Sequence, residues 1–430
     1  MSSTHASELH RQSEVVDLHA HPALKAAIFH RNLARRYGIS PPEFWPYSMR
    51  TSFDKLEAGG IDVLLSAILV PEKPLLRDLP ALNALRITRP ETWRELIEPP
   101  YDAATLGILQ GMEEQASAYT RNIGAGRRAV RFAHTVDELD SLLAQGPAGP
   151  IALVHTIEGA HSLEGALSQQ PGRKDPAVDA EVLRNLQTFY ELGVASITLA
   201  HFYPNRVVNP CFPFPETVLP LTRWRQVVAE FDLSRGLTAL GEQVVERMLE
   251  LGMVIDLAHA TPLARARIYQ IAESLRKQGG VMATHVGAYA LKPSPYNLQD
   301  WELRWLADHG GVTGVIFMNS WLASHPDKLG LDLVVRTIQH IVDTAGIDAV
   351  GFGSDFDGFT DPPDDLVDAT QVPRLTQHLL GQTQSPAGRR YSDEDIKKIL
   401  GGNALRVLRE GWRRRSAAKV DLPMGQGTQP

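Results

Sequence analysis

The stretch LGEQVVERMLELGMVIDLAH, residues 240–259, contains the repeating unit of the fold. Its first half repeats apolar residues at the spacing of one helix face, at Leu240, Val244, Met248 and Leu251. Its second half, Met253–His259, is almost continuously apolar, which is typical of a strand buried on both faces of a parallel sheet. The stretch therefore predicts a helix that leads into a buried parallel strand.

Seven other apolar runs have the same character and alternate with segments of helical period. The eight predicted strands are Glu14–His19, Ile61–Val70, Ile151–Glu158, Val194–His201, Met253–His259, Val281–His285, Val312–Phe317 and Ala349–Asp355. Eight buried strands separated by crossovers predict an α/β fold, a (β/α)8 TIM-type barrel.

The chain is longer than such a barrel requires. A barrel of this type takes roughly 250 residues, and the chain has 430. We therefore expect long loop insertions, mainly over Ala23–Gly60 and Pro71–Pro150. We expect one barrel domain over 14–418, a disordered N-terminal tail over 1–13 and a disordered C-terminal tail over 419–430.

Composition and charge exclude several functional classes. The chain has 43 Lys and Arg against 50 Asp and Glu, a net charge of −7, which argues against nucleic-acid binding. No apolar run reaches the roughly 20 residues of a membrane span, and residues 1–13 lack a signal peptide's apolar block. The single cysteine, Cys211, excludes an internal disulfide and a CxxC motif. We therefore expect a cytoplasmic protein without a nucleic-acid or membrane partner.

Six of the predicted strands end in potential metal ligands. These residues are His19, His21, Glu158, His201, His259, His285 and Asp355. Because barrel strands open onto the active site at their carboxyl ends, we expect these side chains to converge there. His19 and His21 are two residues apart on a strand, so both can face one ion.

The number of candidate ligands favours two ions. Imidazole and carboxylate suit zinc and its neighbours, and one catalytic zinc usually takes three protein ligands. Four histidines and the carboxylate of Glu158 exceed that number. The set therefore favours two divalent metal ions that share a water molecule.

Several motifs, taken in order, point to a known family. They are Thr156–Gly159, Tyr190–Val194 followed by Leu199–His201 and Asn205, Gly236–Thr238 through Ile255–His259, Gly353–Gly358, and Gly402–Val407. In these motifs the chain resembles the membrane (renal) dipeptidase family, peptidase family M19 of the amidohydrolase superfamily, over nearly its whole length. The resemblance implies a dinuclear-metal hydrolase, with zinc expected, that cleaves dipeptides or related small amides by a metal-bridging hydroxide.

The resemblance also implies a role for each candidate residue. One metal ion would be held by His19, His21 and Glu158, and the second by Glu158, His259 and His285. Asp355 would shuttle a proton, and His201 would contact the carbonyl oxygen of a small-molecule substrate. Dimers are common in the family, so a homodimer is a possible assembly.

The chain departs from the family pattern at two positions. His21 stands where the family has an aspartate, which makes the site one charge unit more positive. Tyr296 stands where the family has an arginine that holds the free carboxylate of the dipeptide. Tyrosine can donate one hydrogen bond to a substrate but cannot form the charged bidentate fork of arginine.

The second departure leaves the substrate class open. Lys292, the nearest basic residue of the same loop, could supply the missing charge to a dipeptide. Alternatively, the substrate is another amide, a lactone or an ester without a free carboxylate. A third interpretation is a catalytically inactive, metal-binding homologue.

Overall fold

The nine strands of the described residues form one parallel sheet. The computed structural model describes residues 3–37, 48–78, 83–168, 175–211, 232–275, 279–323, 330–381 and 391–413. The strands are β1 Val16–Ala20, β2 Val63–Ile68, β3 Val130–Phe132, β4 Ile151–Glu158, β5 Ser196–Thr198, β6 Val254–Asp256, β7 Val281–Val286, β8 Thr313–Ile316 and β9 Val350–Gly353. All of their pairings are parallel.

Eight of these strands form a nearly closed barrel. They lie in the order β1-β2-β4-β5-β6-β7-β8-β9. The two ends of this order meet where the backbone N–H of Asp355 donates to His19 O at 2.8 Å and that of His21 donates to Phe356 O at 2.8 Å. The predicted TIM-type barrel is confirmed.

The remaining strand, β3, lies outside the predicted set. It pairs with the first residues of β4, from Ile151, whereas β5 pairs with the last residues of the same strand, up to Glu158. β3 has only three residues and its middle residue, Arg131, is exposed, so it lacks the continuous apolar run of the barrel strands.

Helices surround the barrel and fill the insertions. The α-helices of the described residues are Ser3–Gln12, Pro22–Phe29, Phe53–Ala58, Pro74–Asp78, Leu85–Thr88, Pro90–Thr92, Tyr101–Arg121, Val136–Leu143, Pro176–Glu191, Ala239–Leu251, Pro262–Ser274, Asp300–Asp308, Asn319–Leu322, Asp332–Ala345, Pro373–Gly381, Asp393–Lys397 and Asn403–Gly411. Short 3₁₀ or π segments are Trp93–Ile97, Ala160–Leu163, Ile347–Ala349, Ala369–Gln371 and Lys398–Gly402. None of the described helices has both the length and the apolar character needed to cross a bilayer.

The N-terminal segment is helical. The expectation of a disordered tail over 1–13 is wrong for Ser3–Gln12. The helix docks because Ala6 and Leu9, three residues apart, are buried among core residues. His10 fixes it further, since its ring nitrogens contact Thr376 Oγ1 at 2.8 Å and Gly59 O at 2.9 Å. The expected tail over 419–430 lies outside the described residues, and the single domain over 14–418 stays a prediction.

The barrel interior is apolar near the amino ends of the strands. Val16, Val63, Val254 and Val312 belong to one buried cluster. Leu408 and Trp412, at the end of the last described helix, belong to the same cluster. Glu158 and Asp256, by contrast, are the last residues of β4 and β6.

Arg265 connects two of the loops at that end. Its buried guanidinium donates to both carboxylate oxygens of Glu302, at 2.6 and 2.9 Å. It also donates to Ala260 O at 2.8 Å and to Pro295 O at 2.9 Å. Ala260 follows β6 and Pro295 follows β7, so one side chain holds both loops in register.

We predict that Arg265→Met lowers the free energy of unfolding by about 3–5 kcal/mol, because it leaves the buried carboxylate of Glu302 without its cation. Arg267→Met is the matched control, since Arg267 pairs with Glu242 on the surface and such pairs contribute at most about 1 kcal/mol. Denaturant unfolding of both variants measures the difference. Equal losses of stability would mean that the buried pair has no special role.

Candidate metal-binding active site

The carboxylate of Glu158 is the centre of the site. Glu158 ends β4 and is 1 % exposed. Its Oε1 lies 3.1 Å from Nε2 of His259, 3.4 Å from Nε2 of His285 and 3.5 Å from Nε2 of His19. Its Oε2 lies 3.1 Å from Nε2 of His21. Four imidazoles from three regions of the barrel rim thus point the same ring nitrogen at one carboxylate.

The imidazoles are arranged as two pairs. The Nε2 atoms of His19 and His21 are 3.0 Å apart, and those of His259 and His285 are 3.1 Å apart. His19, His21 and Asp355 form one compact group of ligand atoms, and Glu158, His259 and His285 form another, each within 4.8 Å. The two groups adjoin at Glu158.

The chemistry of this donor set fits divalent metal ions. Burial lowers the pKa of His19 well below its usual range and that of His259 to about 4, so both are neutral, the form that binds metals. Burial also favours neutral His21, but Glu158 and Asp355 outweigh it and raise its pKa to about 10. A metal ion at His21 therefore has to displace a proton.

Special backbone conformations place two of these residues. His259 and Asp355 have left-handed φ angles of 63° and 53°. Gly358 is required beside them, because a Cβ there would lie 2.2 Å from Asp355 Oδ1 and 2.9 Å from Cδ2 of His21. A glycine after the second acid of the motif thus allows Asp355 to approach His21, with Oδ1 at 3.3 Å from Nε2.

A buried Asp256–Thr284 pair supports the histidines. The Thr284 hydroxyl donates to Asp256 Oδ2 at 2.6 Å, so its oxygen can accept from Nδ1 of His285 at 2.8 Å. This leaves the lone pair of His285 on Nε2, towards Glu158. The sequence analysis missed both roles; the apolar run around Asp256 was a signal, since a buried carboxylate needs hydrogen-bond donors.

Glu72 also reaches the site, and no sequence pattern indicated it. Its buried carboxylate contacts Nδ1 of His201 at 2.7 Å and accepts the backbone N–H groups of Phe202 and Tyr203. Burial alone would lower the pKa of His201, but Glu72 and Glu158 raise it. Nε2 of His201 then faces Oε2 of Glu158 at 3.7 Å.

The predicted substrate residues lie in different surroundings. Tyr296 is buried beside the His259 ring, with ring centroids 4.9 Å apart, and its hydroxyl donates to His285 O at 2.9 Å. Lys292 is half-buried in the same loop, and the described residues show no ion pair of its ammonium group. The structure therefore brings Tyr296 to the histidine cluster, and among the described residues no hydrogen bond or ion pair joins Lys292 to that cluster.

Asp357, the other acid of the 355–357 motif, has a different position. Its carboxylate lies 3.0 Å from Nζ of Lys25 and accepts the backbone N–H groups of Arg50 and Thr51. It holds the neighbouring loop and does not face Glu158.

Comparison with known proteins identifies the family. Residues 3–419 match the family model described as membrane dipeptidase, peptidase family M19. The chain belongs to the membrane dipeptidase family. It is a metal-dependent hydrolase of the dipeptidase type, as the sequence predicted. The homodimer and the cytoplasmic location stay predictions.

Two individual proteins are also similar to this chain in sequence. The chain is 33 % identical over 268 residues to an uncharacterised protein in the pqqA 5′ region of Klebsiella pneumoniae, covering 61 % of this chain and 83 % of that protein. It is 28 % identical over 282 residues to dipeptidase tcpJ of Claviceps purpurea, covering 65 % of this chain and 55 % of the relative.

A solved structure has the same fold. It is a metallopeptidase from Rhodobacter sphaeroides with a phosphinate mimic of the dipeptide L-Ala-D-Ala. The TM-score is 0.66 at 22 % identity, covering 93 % of this chain and 100 % of that chain.

We predict that Glu72→Gln lowers the pKa of His201, because glutamine keeps the shape of the contact but removes the charge that favours the imidazolium ion. Histidine NMR titration of the metal-free protein measures this pKa. Glu164→Gln is the control, since Glu164 accepts the Arg206 N–H and leaves the Glu72–His201 pair unchanged. An unchanged His201 pKa in Glu72→Gln would contradict the assignment.

Proposed function

We propose that this chain hydrolyses dipeptides or related small amides with two divalent metal ions, zinc being the expected metal. One ion would be held by His19, His21 and Glu158, and the other by Glu158, His259 and His285. The observation that supports this most strongly is the carboxylate of Glu158, whose two oxygens face different histidines at 3.1 Å.

Hydrolysis adds water across the C–N bond of the amide. When bound, the ions would activate the water and polarise the scissile carbonyl group. The water oxygen bonds to the carbonyl carbon, the C–N bond breaks, and a proton has to reach the leaving nitrogen. Asp355 is suited to carry that proton, because its carboxylate lies at the edge of the cluster and is 6 % exposed.

His201 is suited to hold the substrate carbonyl oxygen. Glu72 accepts from its Nδ1, which fixes the ring, and the raised pKa favours a proton on Nε2. That nitrogen faces the cluster at Glu158, so it can donate a hydrogen bond to a carbonyl oxygen bound there.

We expect metal-loaded protein to hydrolyse members of a panel of L,L- and L,D-dipeptides. Asp355→Asn should lower kcat by about 10²- to 10⁴-fold, because it removes the proton carrier. Its metal content should stay at the wild-type level. Asp361→Asn, on the same loop, is the matched control. Turnover of amides, lactones and esters but of no dipeptide would favour the second candidate below, and no turnover of any of them would favour an inactive homologue.

The two-ion arrangement predicts that Glu158→Gln loses two metal ions per chain relative to wild type, since one side chain serves both positions. Elemental analysis after zinc loading and desalting gives the count. His161→Gln is the control, because this neighbouring buried histidine contacts Val70 O. Loss of a single ion in Glu158→Gln would contradict the shared carboxylate.

A second candidate function is supported by Tyr296. The hydroxyl of Tyr296 already donates to His285 O, and tyrosine has no positive charge for a substrate carboxylate. This favours a related amide, lactone or ester without a free carboxylate. A dipeptide substrate remains the better candidate only if the ammonium group of Lys292 reaches the site and binds the free carboxylate.

Comparison of a dipeptide with its C-terminal amide separates the two candidates. If Lys292 binds the carboxylate, wild type should prefer the acid by roughly 10- to 150-fold in kcat/KM, the value of a charged hydrogen bond. Lys292→Ala should then abolish that preference. Preference for the amide, unchanged in Lys292→Ala, would support the carboxylate-free substrate.

A further inference from the structure

A second group of histidine and carboxylate side chains lies on the outer face of the barrel. It contains Glu113 of the helix Tyr101–Arg121, His134 of the segment after β3, and His155 of β4. Their three ligand atoms lie within 4.8 Å of one another. Nε2 of His134 is 2.6 Å and Nε2 of His155 is 3.0 Å from the same oxygen, Oε1 of Glu113.

This group is separate from the proposed active site. His155 precedes Glu158 by three positions on β4, so the two side chains lie on opposite faces of the strand. Three residues of strand also separate them by about 10 Å along the chain. No residue of the outer group is among those that surround Glu158.

Neighbouring side chains fix the geometry of the group. The ring of His155 is fully buried and stacks on Phe132, with centroids 3.9 Å apart and planes at 16°. Oε2 of Glu138 accepts the backbone N–H of His134 at 2.8 Å and lies 3.3 Å from its Nδ1. A carboxylate on the far nitrogen of an imidazole is the usual support of a metal-bound histidine.

We propose that Glu113, His134 and His155 form an additional metal site that binds one zinc-type divalent ion. Two imidazole nitrogens and one carboxylate oxygen are a donor set that zinc takes in proteins, with further positions left for water. With Glu138 the group has two carboxylates, which match the charge of a divalent ion.

The protonation states of Glu113 and His155 suit a metal ion. Burial would raise the pKa of Glu113, but hydrogen bonds from His134 and His155 outweigh it and lower the pKa to about 2. Burial lowers the pKa of His155, so its imidazole is neutral. Burial would lower the pKa of His134, but Glu113 and Glu138 outweigh it and raise the pKa, so an ion has to displace a proton there. Zinc ligands at about 2.0–2.2 Å from the metal lie roughly 3–3.5 Å apart, so small movements of the half-exposed His134 and Glu113 would admit the ion.

The ion would fasten the insertion over Pro71–Pro150 to the barrel. Glu113 and His134 belong to that insertion, whereas His155 belongs to a barrel strand. Metal ligation across this boundary would stabilise the folded state without contributing to catalysis.

The test counts zinc in the full-length protein after loading and desalting. Glu113→Gln and His134→Gln should each hold one zinc ion fewer per chain than wild type, with unchanged kcat/KM. Glu158→Gln should keep this ion, so the result does not depend on the proposed catalytic metals. His340→Gln is the matched control, because it removes a histidine from a pair with Asp300, at 2.8 Å, that has no second imidazole.

A thermal measurement gives a second readout. Zinc should raise the Tm of Glu158→Gln, and this rise should be lost in the double variant Glu158→Gln with His134→Gln. His134 is half-exposed, so this variant decides the question even if Glu113→Gln fails to fold. Equal zinc content in wild type and His134→Gln would overturn the proposal and leave the group as a hydrogen-bonded ion pair only.

Discussion

The burial of one carboxylate, that of Glu158, is the constraint on which the site depends. Transfer of an ionised carboxylate from water into a protein interior is costly unless positive charge or hydrogen-bond donors compensate. Histidines around Glu158 provide that compensation and hold its pKa well below the usual range, although burial acts in the opposite direction. These histidines reach Glu158 because the strands that carry them end at the same rim, so the site depends on the barrel.

A second layer of polar residues orients these side chains. Thr284 and Asp256 support His285, and Glu72 supports His201. Each contact occupies the ring nitrogen that points away from Glu158, so the other nitrogen faces the centre. His285 thereby presents an unprotonated nitrogen, the form that binds a metal, whereas the raised pKa of His201 favours a proton on the nitrogen that faces Glu158.

Two residues beside Glu158 depart from the family pattern. His21 adds an imidazole where a carboxylate would lower the charge of the site, and Tyr296 uses its hydroxyl on the backbone of β7. Both residues lie at the histidine cluster, His21 at 3.1 Å from Glu158 and Tyr296 with its ring 4.9 Å from that of His259. In the outer group, Glu113 and His134 of the long insertion lie beside His155 of the barrel strand β4. The insertion is therefore joined to the barrel by polar contacts as well as by apolar packing.

The sequence by itself determined the barrel, the eight strands that form it and the candidate residues at the ends of those strands. Local patterns are sufficient for this, because a buried parallel strand needs a continuous apolar run and its carboxyl end faces the site. Only the tertiary structure decided which residues from distant parts of the sequence form hydrogen bonds with these strand-end residues. Glu72 and His201 are 129 positions apart, and no periodicity relates them. The same holds for the helix Ser3–Gln12, whose two buried apolar residues gain stability only from the surface on which they pack.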